Sequence, residues 1–247
     1  MASDDAAVDQ LPHHEHHHRN VQGGAARAAV FGFSDGLVSN VALILGVAGA
    51  DPAPSVVRLA GLAGLLAGAF SMAAGEYVSM RAQSELLERE LELERIEIAR
   101  RPEHERRELA AIYRSRGVDA DVADELAAGM MRTPDMALQT HAREELGIDP
   151  DELGSPVKAA VSSFATFGFG ALVPLVPWFL AEGATATIAS VIVAAVTAMA
   201  AGVALARATD RPWLWPAFRQ LFIAVVAAGV TFTVGSLVGI SADAVSG

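Results

Sequence analysis

The sequence predicts an all-α integral membrane protein with five transmembrane helices and a small helical insert between the second and third of them. Two observations carry this prediction. The chain of 247 residues is 52% hydrophobic, yet its formal net charge is −11. The charges are concentrated, because residues 81–152 hold 19 of the 29 acidic residues and 11 of the 18 basic ones. The rest of the chain is therefore left with long uncharged runs.

Five of these runs are long enough to cross a bilayer, which requires about 20 mostly apolar residues in a helix. Small residues recur in the last three, as close packing between membrane helices favours. Pro174 and Pro177 lie inside the third run, so we expect that helix to kink or break there. Buried helices of a soluble bundle are the alternative, and the length of the uncharged runs argues against them. The predicted spans cover residues 30–50, 56–80, 159–180, 184–206 and 221–240.

Basic residues near the span ends predict the orientation of the chain. Arg27, Arg81 and Lys158 flank the first three spans on one side, and three arginines lie between the fourth and fifth spans. Short cytoplasmic loops carry the excess of lysine and arginine, so this side is predicted to be cytoplasmic. The resulting organisation is a cytoplasmic tail (1–29), two spans (30–80), a cytoplasmic insert (81–155) and three further spans (156–247).

Residues 81–155, hereafter the insert, are too polar to form another span and show the pattern of short helices instead. No glycine or proline separates residues 81–100 from the second span, so that helix is predicted to continue out of the membrane. Pro102 ends it and suits the first turn of a helix over 103–116. Two more helices are expected, the last of them capped by Thr133.

Composition narrows the possible chemistry. The chain has no cysteine, which excludes disulfides and thiolate metal sites. Its net negative charge argues against a nucleic-acid partner. Residues 13–18, HHEHHH, form a histidine-rich tract of the kind that binds divalent metals loosely, and a tail without function gives the same pattern.

Ionisable residues inside a membrane span are costly and are candidates for an ion pathway. Asp35 lies about a turn and a half into the first span, and Glu76 about one turn from the end of the second. Met72 precedes Glu76 by four residues, so these two side chains share a helix face. Carboxylates combined with a thioether suit Fe²⁺ or Mn²⁺ better than Na⁺ or Mg²⁺. The alternatives are lipid-facing packing for Met72 and a helix-end charge for Glu76.

The insert offers a second set of candidate metal ligands. Glutamates repeat at i, i+3 on both sides of Pro102, and a histidine and a glutamate stand at i, i+4 in the last helix. If the helices fold back at Pro102, these carboxylates converge and require a cation or protons between them. A solvated helix rich in glutamate and arginine gives the same spacing by chance. The candidate ligands are Glu94, Glu97, Glu105, Glu108, His141 and Glu145.

Three stretches resemble signatures of the vacuolar iron transporter family. The segment DGLVSN, which starts at Asp35, resembles the first-span motif of that family. The segment SMAAGEYVS from Ser71 resembles its second-span motif, and FGFGALVP from Phe167 resembles the start of its third span. Their order and spacing match over nearly the whole chain, including the charged insert.

The resemblance implies a five-span homodimer with the ion path along its axis, and exchange of Fe²⁺, often also Mn²⁺, for protons. It matches Asp35 and Met72 to the ion path and the glutamates of the insert to metal binding. In plant members two methionines precede the last of these glutamates, Glu145. The corresponding positions here are His141 and Ala142, a change that favours Mn²⁺, Zn²⁺ or Co²⁺. The composition, rich in alanine, arginine and glycine, looks bacterial and implies a multi-pass protein of the cell membrane.

Together these features predict proton-coupled export of Fe²⁺ and Mn²⁺ from the cytoplasm, with no cofactor besides the transported ion. A membrane-anchored metal buffer or sensor, whose spans carry no flux, is the alternative. An enzyme such as a ferroxidase is not expected, because the insert lacks the Glu-x-x-His motif of di-iron helical bundles.

Overall fold

A computed structural model of the chain describes residues 24–147, 149–150 and 154–246, and the regular structure within these ranges is helical. The histidine-rich tract 13–18 lies outside the described residues. The helices are α1 (Gly24–Ala48), α2 (Pro54–Arg100), α3 (Pro102–Ser115), α4 (Ala120–Met130), α5 (Pro134–Glu144), α6 (Pro156–Leu175), α7 (Pro177–Leu180), α8 (Gly183–Ala208) and α9 (Leu214–Ser246).

Five of the helices, α1, α2, α6, α8 and α9, are long and apolar enough to cross a membrane, which confirms the predicted number of spans. Three boundaries differ from the prediction by six residues or more: α1 begins at Gly24 and α9 at Leu214, each ahead of its uncharged run, and α9 ends at Ser246. The third predicted span is broken, as its two prolines led us to expect. Helix α6 ends at Leu175, and Pro177 starts the short helix α7.

Helix α1 lies at the centre of the membrane part and contacts α2, α6, α8 and α9. Leu37, Val41 and Leu45 recur at i, i+4 and i+8, so one face of α1 packs against buried alanines of α8 and α9. The approach of α1 to α6 depends on glycine: a Cβ atom at Gly36 would lie 2.2 Å from the Phe167 carbonyl oxygen. Small residues permit such backbone contacts between membrane helices, and a larger residue at Gly36 would force α1 and α6 apart.

Helix α2 is continuous through 47 residues, as the absence of an internal breaker after the second span predicted. At 1.5 Å per residue its length is about 70 Å. The hydrocarbon core of a bilayer is only about 30 Å thick. The second half of α2 therefore extends beyond the membrane, and α3 and α5 contact this helix.

The insert has a small core of its own. Leu109 and Ala110 of α3 are fully buried against Ala127 of α4. Thr133 caps α5 as predicted, because its hydroxyl accepts a hydrogen bond from the Met136 backbone N–H at 3.3 Å. Helices α3 and α5 pack against the extended part of α2, and α4 packs against α3 and α5.

Candidate metal sites

Three buried side chains meet where α2, α3 and α5 come together. Glu94 from α2, Glu105 from α3 and His141 from α5 place ligand atoms within 4.8 Å of one another. None of the three is more than 4% exposed. The predicted fold-back at Pro102 brings the two glutamates together, and α5 adds the histidine. These three residues are called the carboxylate–histidine cluster below.

The histidine of this cluster has one nitrogen engaged and one free. His141 Nδ1 lies 3.0 Å from Glu94 Oε1 and 3.3 Å from Glu145 Oε2. Its Nε2 is buried, and no hydrogen-bond partner within the described residues reaches it. Buried polar atoms are normally paired, so the orphan Nε2 leaves the imidazole able to take a further partner, while Nδ1 faces two carboxylates; histidine and carboxylates together are ligands that suit a divalent cation.

The titration of His141 reflects two opposing effects. Burial by itself lowers the pKa of the imidazole, since it disfavours the charged form. Hydrogen bonds to Glu94 and Glu145, together with the charges of these two carboxylates, outweigh burial and raise the pKa above its ordinary value. Without a metal ion, His141 therefore holds a proton more readily than a free imidazole does.

The glutamates respond to the same crowding. Burial, followed by the charges of Glu94 and Glu108, raises the pKa of Glu105. Burial also raises the pKa of Glu145, against the opposing hydrogen bond from His141. The carboxyl groups are thus held where their charged forms are unfavourable unless a cation joins them.

Of the other predicted ligands, Glu145 contacts His141, whereas Glu97 and Glu108 lie further out. Glu97 is exposed and falls outside the carboxylate–histidine cluster. Glu108 forms an outer group with Glu105 and the exposed His104, with ligand atoms again within 4.8 Å of one another. Sequence reasoning missed His104, although its spacing of i, i+4 from Glu108 could have revealed it.

A second candidate site lies between the first two spans, in an open cavity of about 320 Å³, hereafter the span cavity. Asp35 lines it from α1 and Met72 from α2, as the sequence predicted for an ion path. Ser39 and Asn40 of α1 also line it. The Ser39 hydroxyl donates to the Asp35 backbone carbonyl at 2.6 Å, which leaves its lone pairs free to accept.

Glu76 is not among the residues that line the span cavity. Its carboxylate is instead 2.7 Å from Arg27 Nη2, in an ion pair between α1 and α2. The Glu76 side chain is 11% exposed, and that of Arg27 is 66% exposed. Glu76 thus stands apart from the ligand set that Asp35 and Met72 could form, one helical turn beyond Met72.

Sequence reasoning also missed Asn40, which is buried and contributes an amide to the span cavity. Its only sequence signal is its place at the end of the DGLVSN motif. Asparagine in a membrane helix can also serve to hydrogen-bond a neighbouring helix, so this position alone did not mark it as a ligand.

A family model described as "VIT family" matches residues 26–236. Vacuolar iron transporter 1 of Oryza sativa subsp. japonica is 32% identical over 213 residues, which cover 84% of each chain. Vacuolar iron transporter 1 of Arabidopsis thaliana is 30% identical over 229 residues, 92% of this chain and 91% of that protein.

A vacuolar iron transporter of Acanthamoeba castellanii is 41% identical over 160 residues, 64% of this chain and 58% of that protein. These relatives come from plants and a protist. They give no support to the bacterial origin that the composition of the chain had led us to expect.

Proposed function

This chain belongs to the VIT family, and we propose that it transports a divalent metal ion, Fe²⁺, across the membrane that its five spans cross. Three relatives are vacuolar iron transporters by name, which supports iron as the cargo. The observation that carries the proposal is the span cavity. There the carboxylate of Asp35 stands inside a membrane span and lines the same space as the Met72 thioether.

The ligands of the span cavity suit this cargo. A carboxylate, a hydroxyl and a thioether form a mixed oxygen and sulfur set. Mg²⁺ and Ca²⁺ prefer oxygen alone, whereas Fe²⁺ also accepts softer ligands. Met72 is the residue that would favour Fe²⁺ over the more abundant hard cations.

Capture of the ion is assigned to the insert. The carboxylate–histidine cluster has two carboxylates and an imidazole with a free nitrogen, which suits Fe²⁺ and Mn²⁺. The same chemistry is the reason to propose Mn²⁺ as a second cargo. Because a bound ion would relieve the repulsion between Glu94 and Glu105, the cluster should bind cations in preference to remaining empty.

The proposed direction is export from the cytoplasm, coupled to protons. The positive-inside rule supports a cytoplasmic insert, so the cluster would collect ions on that side. Protons from the opposite side would then compete with the ion for the Asp35 carboxylate, because metal ligands must be deprotonated. A proton gradient would in this way drive release of the metal.

The proposal includes a homodimer. Asp35 is exposed on the outside of a single copy, although it lies within a span. A carboxylate that faces lipid is costly. A second copy placed against α1 and α2 would cover Asp35 and enclose the span cavity, so that the ion path would run between the copies.

The membrane concerned is proposed from the relatives. Their names refer to the vacuole, which favours a vacuolar membrane. The same names do not support the cell membrane that composition had led us to expect.

The test is metal uptake into proteoliposomes that contain the purified chain, with Fe²⁺ and Mn²⁺ compared with and without a pH gradient. Asp35→Asn should abolish gradient-dependent uptake of both ions, while the protein remains folded. Asp51→Asn is the matched control, because Asp51 lies just beyond the other end of α1 and does not line the span cavity.

Two results would contradict the proposal. Uptake by Asp35→Asn at the wild-type rate would remove the span cavity from the ion path. Metal binding without any uptake by the wild-type chain would favour the membrane-anchored buffer or sensor, in which the carboxylate–histidine cluster is the whole functional site.

A further inference from the structure

Asn40 is a buried polar residue in the middle of α1 with only one half of its amide satisfied. Its Nδ2 donates to the Ala171 carbonyl oxygen of α6 at 2.6 Å. The side chain is 2% exposed, and its Oδ1 is buried without a hydrogen-bond partner among the described residues. A buried acceptor left unpaired in this way costs free energy, so its presence requires an explanation.

The orientation of this amide follows from its contact with α6. A carbonyl oxygen only accepts hydrogen bonds, so the amide group that faces Ala171 must be the NH₂. Oδ1 is thereby turned toward α2, where Gly64 leaves room. A Cβ atom at Gly64 would lie 2.9 Å from Oδ1, so the absence of a side chain there leaves space beside the oxygen, on a residue that borders the span cavity.

We propose that Asn40 Oδ1 is a ligand for the transported ion, a neutral oxygen that receives the ion beyond Asp35. This inference rests on the proposed transport function. Asn40 follows Asp35 by five residues, or about 7.5 Å along the helix axis. Both residues line the same cavity, so an ion that leaves Asp35 away from the insert can reach Asn40 without leaving that cavity.

A neutral ligand at this depth has a clear chemical advantage. An amide oxygen coordinates hard and borderline divalent cations, yet it adds no negative charge that would hold the ion tightly. It also cannot be protonated in the physiological range, unlike Asp35, so it remains a ligand after protons reach the carboxylate. Asn40 would therefore allow Asp35 to take up a proton before the ion has left the cavity.

A purely structural role for Asn40 is the competing explanation, because its hydrogen bond to Ala171 joins α1 to α6. The chain offers variants that separate the two roles. Asn40→Leu removes both the bond and the oxygen. Gly64→Ala leaves the bond intact but places a methyl group against Oδ1, where the only other close contact is the flexible end of Leu43.

Ser190→Ala is the matched control. The Ser190 hydroxyl is buried and donates to the Pro174 carbonyl oxygen of α6, also at 2.6 Å. It does not line the span cavity. This variant therefore removes an equivalent helix-to-helix hydrogen bond without removing a candidate ligand.

The experiment measures Fe²⁺ and Mn²⁺ uptake by these variants in proteoliposomes, with KM and kcat determined separately. We expect Asn40→Leu and Gly64→Ala each to raise KM by about tenfold or more, as loss of a metal-site contact does, with Ser190→Ala close to wild type. Asn40→Met should restore uptake selectively for Cd²⁺, because a thioether prefers a softer ion.

Several outcomes would overturn the inference. One is a wild-type KM in Asn40→Leu. Another is an equal change in Ser190→Ala, which would reduce the role of Asn40 to helix packing. If the wild-type chain shows no uptake, the transport proposal itself fails. In that case the ligand role is decided by thermal unfolding in detergent, where Mn²⁺ should stabilise Ser190→Ala more than Asn40→Leu, and equal stabilisation would refute it.

Discussion

Replacement of Glu105 by glutamine should stabilise the metal-free protein and weaken metal binding at the same time. Glutamine keeps the shape of the side chain and removes its charge. The ligand atoms of Glu94, Glu105 and His141 lie within 4.8 Å of one another. At an effective dielectric constant of about 20, two unit charges at that distance repel by about 3 kcal/mol.

Part of this repulsion is relieved in the wild type, because the raised pKa of Glu105 lets it hold a proton more readily and His141 supplies positive charge. We therefore expect Glu105→Gln to raise the free energy of unfolding of the metal-free protein by about 1–3 kcal/mol at neutral pH. Mn²⁺ affinity should fall at least about tenfold, because an ionised oxygen ligand has been lost.

The assay uses the full chain in detergent after treatment with a chelator. Thermal unfolding gives the change in stability, and calorimetric titration with Mn²⁺ gives the affinity. Glu103→Gln is the control, since Glu103 lies two residues before Glu105 on α3, pairs with Arg106 at 3.2 Å and is 78% exposed in its side chain. Destabilisation of the metal-free protein by Glu105→Gln, or unchanged Mn²⁺ affinity, would refute the reasoning.

Three further predictions address other parts of the molecule. Mn²⁺ binding should weaken as pH falls through the raised pKa of His141, because metal binds the neutral imidazole; titrations from about pH 5.5 to 8.5 test this. In the metal-free protein the free energy of unfolding has the opposite pH dependence and falls as pH rises. The stability that His141 contributes is complete below its unfolded pKa of about 6.5 and is lost as pH rises through the folded pKa. Leu109→Ala should lower the free energy of unfolding by about 2–5 kcal/mol in chemical denaturation, because Leu109 is fully buried, whereas Leu93→Ala, on an exposed surface, should change it little. Gly36→Leu should abolish recovery of monodisperse protein in size-exclusion chromatography, because α1 and α6 touch there. Gly75→Ala should not, because among the described residues no atom beyond its chain neighbours and its own helix backbone would lie within 4 Å of the added methyl group.

The number of spans and the helix ends set by proline or a capping residue could be predicted because their determinants are local. Uncharged runs of sufficient length specify membrane helices whatever their neighbours are. Pro177 breaks the third span because of its own ring and missing N–H, and Thr133 caps α5 through a contact three residues away. The unbroken course of α2 followed in the same way from the lack of glycine and proline after the second span.

The composition of the sites was predictable only in part. Spacing identified the glutamates of the insert, but Glu94 and Glu97 lie on adjacent faces of one helix, and only packing against α3 and α5 decides that Glu94 is buried. The pairing of Glu76 with Arg27 joins residues 49 positions apart, and sequence spacing carries no information about it. Asn40 became a candidate ligand only once its partner, 131 residues away, was known.

Helix α2 carries a residue of each candidate site, and its geometry limits how the two can cooperate. Met72 and Glu94 are separated by 22 residues of unbroken helix, or about 33 Å. A metal–ligand bond is only about 2 Å long, so no ion passes directly from the carboxylate–histidine cluster to the span cavity. In the proposed transport cycle the ion must leave the cluster and cross water before Asp35 binds it. The insert would then act by raising the local concentration of metal near the entrance, and selection and proton exchange would belong to the span cavity.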